Sequence, residues 1–143
     1  MKLCIGSDHA GYELKSILIE YLETLNHEVK DFGPFNDERV DYPDYAHKLV
    51  QSILSNDTEL GILICGSGNG ISMSANKHKN IRAALCWNKE IAALARNHND
   101  ANIVSLPARF ISQKEAKSIV DAFLNSEFEG GRHQNRVNKI NCD

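Results

Sequence analysis

With 143 residues, 42% of them hydrophobic and 24% charged, the chain has room for one domain with a substantial core and is too short for two of ordinary size. A formal charge of −3, no basic stripe, and only Arg132, Arg136 and Lys139 as arginine or lysine near the end speak against nucleic acid as a partner. No apolar run reaches membrane-spanning length, no signal-like region opens the chain, and the cysteines at 4, 65, 86 and 142 form no close pair, so the expectation is a cytoplasmic protein with reduced thiols and no membrane contact.

Lys2–Gly6 reads as a first strand, followed by the loop Ser7-Asp8-His9-Ala10-Gly11. Tyr12–Leu25 then places Leu14, Ile17, Leu18, Tyr21, Leu22 and Leu25 at spacings of three and four, the stripe of a helix lying on a sheet. A second strand is expected over Glu28–Phe32, and after the polar loop Gly33–Asp41 a helix capped by Asp41, with Pro43 near its first turn, runs to about Leu54. Gly61–Cys65 is nearly all apolar, as in a parallel strand covered on both faces. Beyond a glycine-rich turn come a helix over Ile71–His78, a strand over Ile81–Cys86, a helix over Lys89–Asn97 and a strand over Asn102–Leu106. The last helix, Ser112–Leu124, opens with Ser112 and Glu115 in capping-box spacing. Strands alternating with helices predict parallel βαβ units in a single domain over residues 1–143, with the polar tail 127–143 folded over the surface or onto a partner subunit.

In such sheets ligands bind beyond the carboxyl ends of the strands, which selects Asp8 and His9, the turn Gly66 to Gly70, and Arg109. In LGILICGSGNGIS at 60–72, Cys65 closes the strand, and Gly66, Gly68 and Gly70 let backbone N–H groups converge on an anion. A thiol set among those dipoles is a candidate base or nucleophile, against the alternative of an inert buried cysteine. The turn has neither GxGxxG spacing nor a GK[ST] ending, so nucleotide binding is set aside. Asp8-His9 offers a carboxylate and an imidazole, or merely a turn and cap. His98, in the run His98-Asn99-Asp100, follows a helix end, as a cap or as an acid–base imidazole. Arg132 and Arg136, four apart, share a face if helical and then make a phosphate clamp, or else a solvated basic surface. Six histidines without HxH or HExxH spacing give no support for a metal site.

Taken together, SDHAG at 7–11, DYPDYA at 41–46, ILICGSGNGIS at 62–72, ANK at 75–77, Arg96-Asn97-His98-Asn99-Asp100 and EGGRHQNRV at 129–137 closely resemble the B-type family of ribose-5-phosphate isomerases, which also includes galactose-6-phosphate isomerase subunits and allose-6-phosphate isomerases. The resemblance implies an α/β fold, a three-layer α/β/α Rossmann-like sandwich with a five-stranded parallel sheet of order 2-1-3-5-4. It also implies a homodimer, or a tetramer, with active sites between subunits. The implied reaction interconverts D-ribose 5-phosphate and D-ribulose 5-phosphate through an enediolate, in the non-oxidative pentose phosphate pathway, with no metal or organic cofactor.

By the same resemblance Cys65 is the base, and the Ser67 hydroxyl with the amides of Gly66, Gly68, Asn69 and Gly70 meets the oxyanion. His98 of a second subunit opens the sugar ring with Asp8. His9, Arg132 and Arg136 hold the phosphate, and Asn99 and Arg109 complete the site. One family branch replaces the cysteine by a glutamate four residues after the loop serine, where this chain has Ile71, which aligns it with the cysteine-dependent branch. Asn69 departs from the apolar residue expected there. The alternatives are a hexose-6-phosphate isomerase acting on allose 6-phosphate or galactose 6-phosphate, and a non-catalytic sugar-phosphate sensor.

Overall fold

The computed structural model describes residues 1–142. Strands β1 (Lys2–Ser7), β2 (Glu28–Asp31), β3 (Leu60–Cys65), β4 (Ala83–Leu85) and β5 (Ile103–Pro107) form one parallel sheet in the order β2-β1-β3-β5-β4, as expected. The helices are α1 (Tyr12–Thr24), α2 (Tyr42–Leu54), α3 (Asn69–Ala75), α4 (Lys89–Asn99), α5 (Gln113–Leu124) and α6 (Arg132–Asn138). Among the described residues no helix is long and apolar enough to cross a membrane.

Two cores flank the sheet because side chains of successive strand residues leave opposite faces. Leu3, Ile5, Ile62 and Ile64 pack with Leu18 and Leu22 of α1 and Ile119 and Phe123 of α5. Cys4, Leu63 and Cys65 face the other way, toward Leu49 and Val50 of α2 and Ile71 and Ala75 of α3. Every residue of β3 is buried, which accounts for its unbroken apolar run.

The ends of several elements differ from the sequence expectation, through a glycine turn at α3 and through side-chain hydrogen bonds at the others. Helix α3 begins at Asn69 instead of Ile71, since Gly68 at φ 75° turns the chain straight into it. It stops at Ala75, short of His78, where the Asn76 carboxamide turns to the outer side of β4, donating to the Ala83 carbonyl at 2.9 Å and accepting from its N–H at 2.8 Å. Strand β4 is three residues long, shorter than Ile81–Cys86, because the Arg82 N–H goes to the Asn102 side chain at 2.8 Å. Helix α4 runs two residues past Asn97, so His98 and Asn99 lie in its last turn, not in a loop. Asp100 ends it in the left-handed conformation, φ 46°, held by Arg96 at 3.0 Å and Arg82 at 3.3 Å. Asp41 stands at the start of α2 without a capping hydrogen bond, whereas the Ser112–Glu115 box forms in both directions. The tail adds α6, whose His133 and Val137 are buried; position 143 lies outside the described residues.

Lys15 of α1 is only 1% exposed, and its ammonium bonds both oxygens of Asp31, at 2.9 and 2.7 Å. Asp31 also accepts from the Gly33 N–H at 2.8 Å, and the Gly33 carbonyl accepts from Ser7 at 3.0 Å, so this pair anchors the loop over the end of β1. Removing the carboxylate leaves a buried charge without its partner. Asp31→Ala is expected to lose about 3 kcal/mol in urea denaturation; a loss below about 1 kcal/mol would mean that the ammonium finds water or another acceptor.

Candidate active site

The carboxyl ends of β1, β3 and β5 bring the first group of predicted residues together. Asp8 is 7% exposed and caps the short 3-10 turn His9–Gly11, its Oδ1 accepting from the Gly11 N–H at 3.1 Å. Its own N–H donates to the Ile64 carbonyl at 3.1 Å, which ties the carboxylate to the strand that carries Cys65. The Val40 N–H donates to His9 Nδ1 at 3.2 Å, so in the neutral ring the proton sits on Nε2 and His9 presents a donor on its free side.

Cys65 Sγ accepts from the Gly68 N–H at 3.2 Å. The turn is stitched to the end of β5: Ala108 N–H to the Cys65 carbonyl at 2.9 Å and Arg109 N–H to the Gly66 carbonyl at 3.0 Å. A Cβ at Gly66 would stand 3.1 Å from Arg109 Nη1, which places the guanidinium over the turn. A Cβ at Gly70 would strike the Tyr42 ring, so that ring closes over the turn from α2. Ser67 and Asn69 are exposed at its mouth, joined by hydrogen bonds from Asn69 to Ser67 Oγ.

The other thiols are built differently. Burial pushes Cys4 up to about 11 and Cys86 to about 12, so neither is a thiolate at neutral pH. Iodoacetamide at pH 8 is expected to label exposed Cys142 and leave Cys4 and Cys86 unmodified in peptide mass spectra; labelling of either would show that its strand opens.

The second group of predicted residues meets elsewhere. Glu129 donates its N–H to the Asn97 carbonyl at 3.0 Å, folding the tail onto the last turn of α4. There the His98 and His133 rings stack at 4.2 Å and 13°, and the Glu129 carboxylate lies 4.0 Å from His98 Nε2 and 3.8 Å from His133 Nε2. Burial, with His98 and Arg132 nearby, holds the His133 imidazole below its ordinary value. This His98–Glu129–His133 set is close enough to hold a metal ion, and no sequence spacing signalled it. The stacked rings keep their in-plane nitrogen lone pairs side by side, so the set does not converge on one point as it stands. Arg132 and Arg136 are both exposed and one helical turn apart on α6, as the spacing predicts.

These two groups lie at opposite ends of the sheet. Cys65 pairs with Pro107 at the finish of β3, while the residues just after α4 reach its start, where the Gly61 N–H donates to the Asn102 carbonyl at 2.9 Å. Four strand residues span roughly 13 Å. One chain therefore joins Asp8, His9, Cys65, Ser67 and Arg109, and separately joins His98, Asn99, Arg132 and Arg136, without bringing the two sets together. Along the β4 edge two adjoining hollows, of about 500 and 600 Å³, share Asn76, Lys77 and Ala83 and run from Asn69 to Asn99. Sequence reasoning gave no role to Tyr42, Glu129 or His133, although DYPDYA and EGGRHQNRV contain them.

Residues 3–140 match the family described as ribose/galactose isomerase. The chain is 53% identical over 137 residues to a probable ribose-5-phosphate isomerase B of Mycoplasma pneumoniae, covering 95% of this chain and 90% of that one. A crystal structure of a ribose 5-phosphate isomerase from Thermotoga maritima is similar with a TM-score of 0.96 and 53% identity, over 97% of this chain and 96% of the other. A ribose-5-phosphate isomerase B from Mycoplasma genitalium, solved with bound ribulose-5-phosphate, is similar with a TM-score of 0.93 and 48% identity, over 97% and 93%.

Proposed function

The chain belongs to the ribose/galactose isomerase family, and on that footing we propose that it is a ribose-5-phosphate isomerase, interconverting D-ribose 5-phosphate and D-ribulose 5-phosphate through an enediolate. The observation that carries this reading is full-length likeness to such isomerases, one of them holding ribulose-5-phosphate, in a chain that keeps a thiol with an amide donor on its sulfur at the end of the central strand.

The chemistry moves one hydrogen between neighbouring carbons. The Cys65 thiolate takes the C2 proton of the open-chain aldose, and the electron pair moves through C1 onto O1. O1 is then protonated, the O2 proton leaves, and the Cys65 thiol returns a proton to C1 to give the ketose. Negative charge on oxygen is met by the Ser67 hydroxyl and by amides of the Gly66 to Gly70 turn other than those of Gly68 and Asn69, which already donate to Cys65 Sγ and Ser67 Oγ. Before that step the sugar ring must open, with one group taking the anomeric hydroxyl proton and another protonating the ring oxygen; Asp8 and His98 take these parts. His9, donating through Nε2, binds phosphate with the two guanidinium forks of Arg132 and Arg136, and Asn99 and Arg109 complete the contacts. Every step is a proton transfer or an acid–base-assisted opening of the ring C–O bond, so this reading calls on no metal or organic cofactor.

Because Cys65 and His98 occupy opposite ends of one sheet, the reading requires a homodimer in which each site draws its second group, the α4 end and α6, from the other copy. In this reading residues 1–143 are a single cytoplasmic isomerase domain whose tail, 127–143, serves the neighbouring site.

The test is kcat/KM for ribose 5-phosphate beside allose 6-phosphate and galactose 6-phosphate. Preference for the pentose supports the proposal. Preference for a hexose phosphate would move the chain to the other substrate class, and binding without turnover would make it a sensor.

A further inference from the structure

The hydrogen bonds between Asn69 and Ser67 run one way. Ser67 Oγ accepts from the Asn69 backbone N–H at 3.3 Å and from Asn69 Nδ2 at 3.2 Å. A hydroxyl oxygen has two lone pairs, and both are engaged. Its own O–H has no acceptor among the described residues, and the side chain is exposed at the mouth of the turn. The hydroxyl is thereby left with a proton to give and no ready site to accept one.

Resting on the isomerase reading above, we infer that Asn69 is a positioning residue that makes Ser67 a dedicated donor to the substrate oxygen. The benefit lies in what is not bound. A freely turning hydroxyl can also accept from a sugar hydroxyl and so stabilise the resting substrate. A hydroxyl confined to donating gains most when the facing oxygen becomes a carbonyl and then an enediolate, which is the differential binding that raises kcat. An apolar side chain at position 69, the residue expected from the family resemblance, would leave one lone pair of Ser67 open. The asparagine is thus a departure with a chemical consequence.

Asn69→Asp tests the direction of the bond at nearly constant shape. A carboxylate has no N–H to give, and it accepts from the Ser67 O–H, turning the proton away from the substrate. The kcat for ribose 5-phosphate is expected to fall about 100-fold, close to that of Ser67→Ala, with KM little changed. The added negative charge also opposes the enediolate, so the decisive comparison is the same substitution in a Ser67→Ala background, where little further loss is expected. Asn69→Leu, which adds no charge, is expected to lower kcat less, and again only when Ser67 is present. Equal losses with and without Ser67, for either substitution, would overturn the inference and leave charge or loop shape as the cause. Unchanged thermal midpoints establish that the variants are folded. A wild-type protein that turns over none of the sugar phosphates removes the isomerase reading and the inference with it; an active wild type without coupling between 67 and 69 removes the inference alone.

Discussion

Cys65→Ala protein is expected to fold, to bind ribose 5-phosphate, and to convert it about 10³ to 10⁴-fold more slowly than the wild type. Folding survives because the change removes one sulfur atom at the end of β3, where the strand's backbone bonds to β5 and the apolar contacts of Leu63 and Ile71 remain. Binding survives because the groups assigned to phosphate and hydroxyl contacts lie on other elements. What disappears is the only assigned acceptor for the carbon-bound proton, and no other thiol substitutes for it. Cys4 and Cys86 are held as neutral thiols by burial, and Cys142 lies at the end of the tail. The measurement is kcat by appearance of the ketose, with substrate binding by calorimetry on the same preparation. Conversion at the wild-type rate would mean that the proton is taken elsewhere.

Mixing two nearly inactive proteins is expected to restore activity. Cys65→Ala damages only the carboxyl end of β3, and His98→Ala only the last turn of α4. If each site combines the first region of one chain with the second region of another, a mixed dimer holds one site carrying both defects and one carrying neither. Random pairing of equal amounts makes half of the dimers mixed, so about a quarter of wild-type turnover should return. The two variants are denatured and refolded together, or co-expressed, and compared with each variant treated alone. No gain on mixing, with mixed dimers demonstrated by mass, would place a complete site in one chain and defeat the two-chain arrangement.

The architecture was readable wherever a local pattern had a local cause. The unbroken apolar run of β3, the three-and-four spacing in α1 and the Ser112–Glu115 box all describe their own segments and appear as expected, except that Leu25, the last residue of the α1 stripe, caps the helix and is exposed. Element ends were missed where a distant side chain supplied the partner. Asn76 reaches Ala83, Asn102 takes the Arg82 N–H, and Arg82 and Arg96 clamp Asp100, and no propensity within those segments encodes such pairings. The candidate site divides in the same way. Asp8, His9, Cys65 and the glycine turn were legible because parallel sheets collect loops at one end. The stacking of His98 on His133 and the Tyr42 ring over Gly70 join residues far apart in the chain through tertiary contacts that no local pattern encodes.

The Asn76 carboxamide has one more effect, on how copies of this protein keep apart. It occupies both the N–H and the carbonyl that Ala83 turns outward from β4, the last strand of the sheet, and the Ser72 hydroxyl adds a bond to the same carbonyl at 3.3 Å. A free strand edge invites any passing extended chain to extend the sheet, a route to fibrils and mispaired oligomers. Here a side chain has already taken the place of the missing neighbour, and the strand is only three residues long. An extended chain arriving along this edge finds the Ala83 backbone pair already taken, which disfavours adding a strand there.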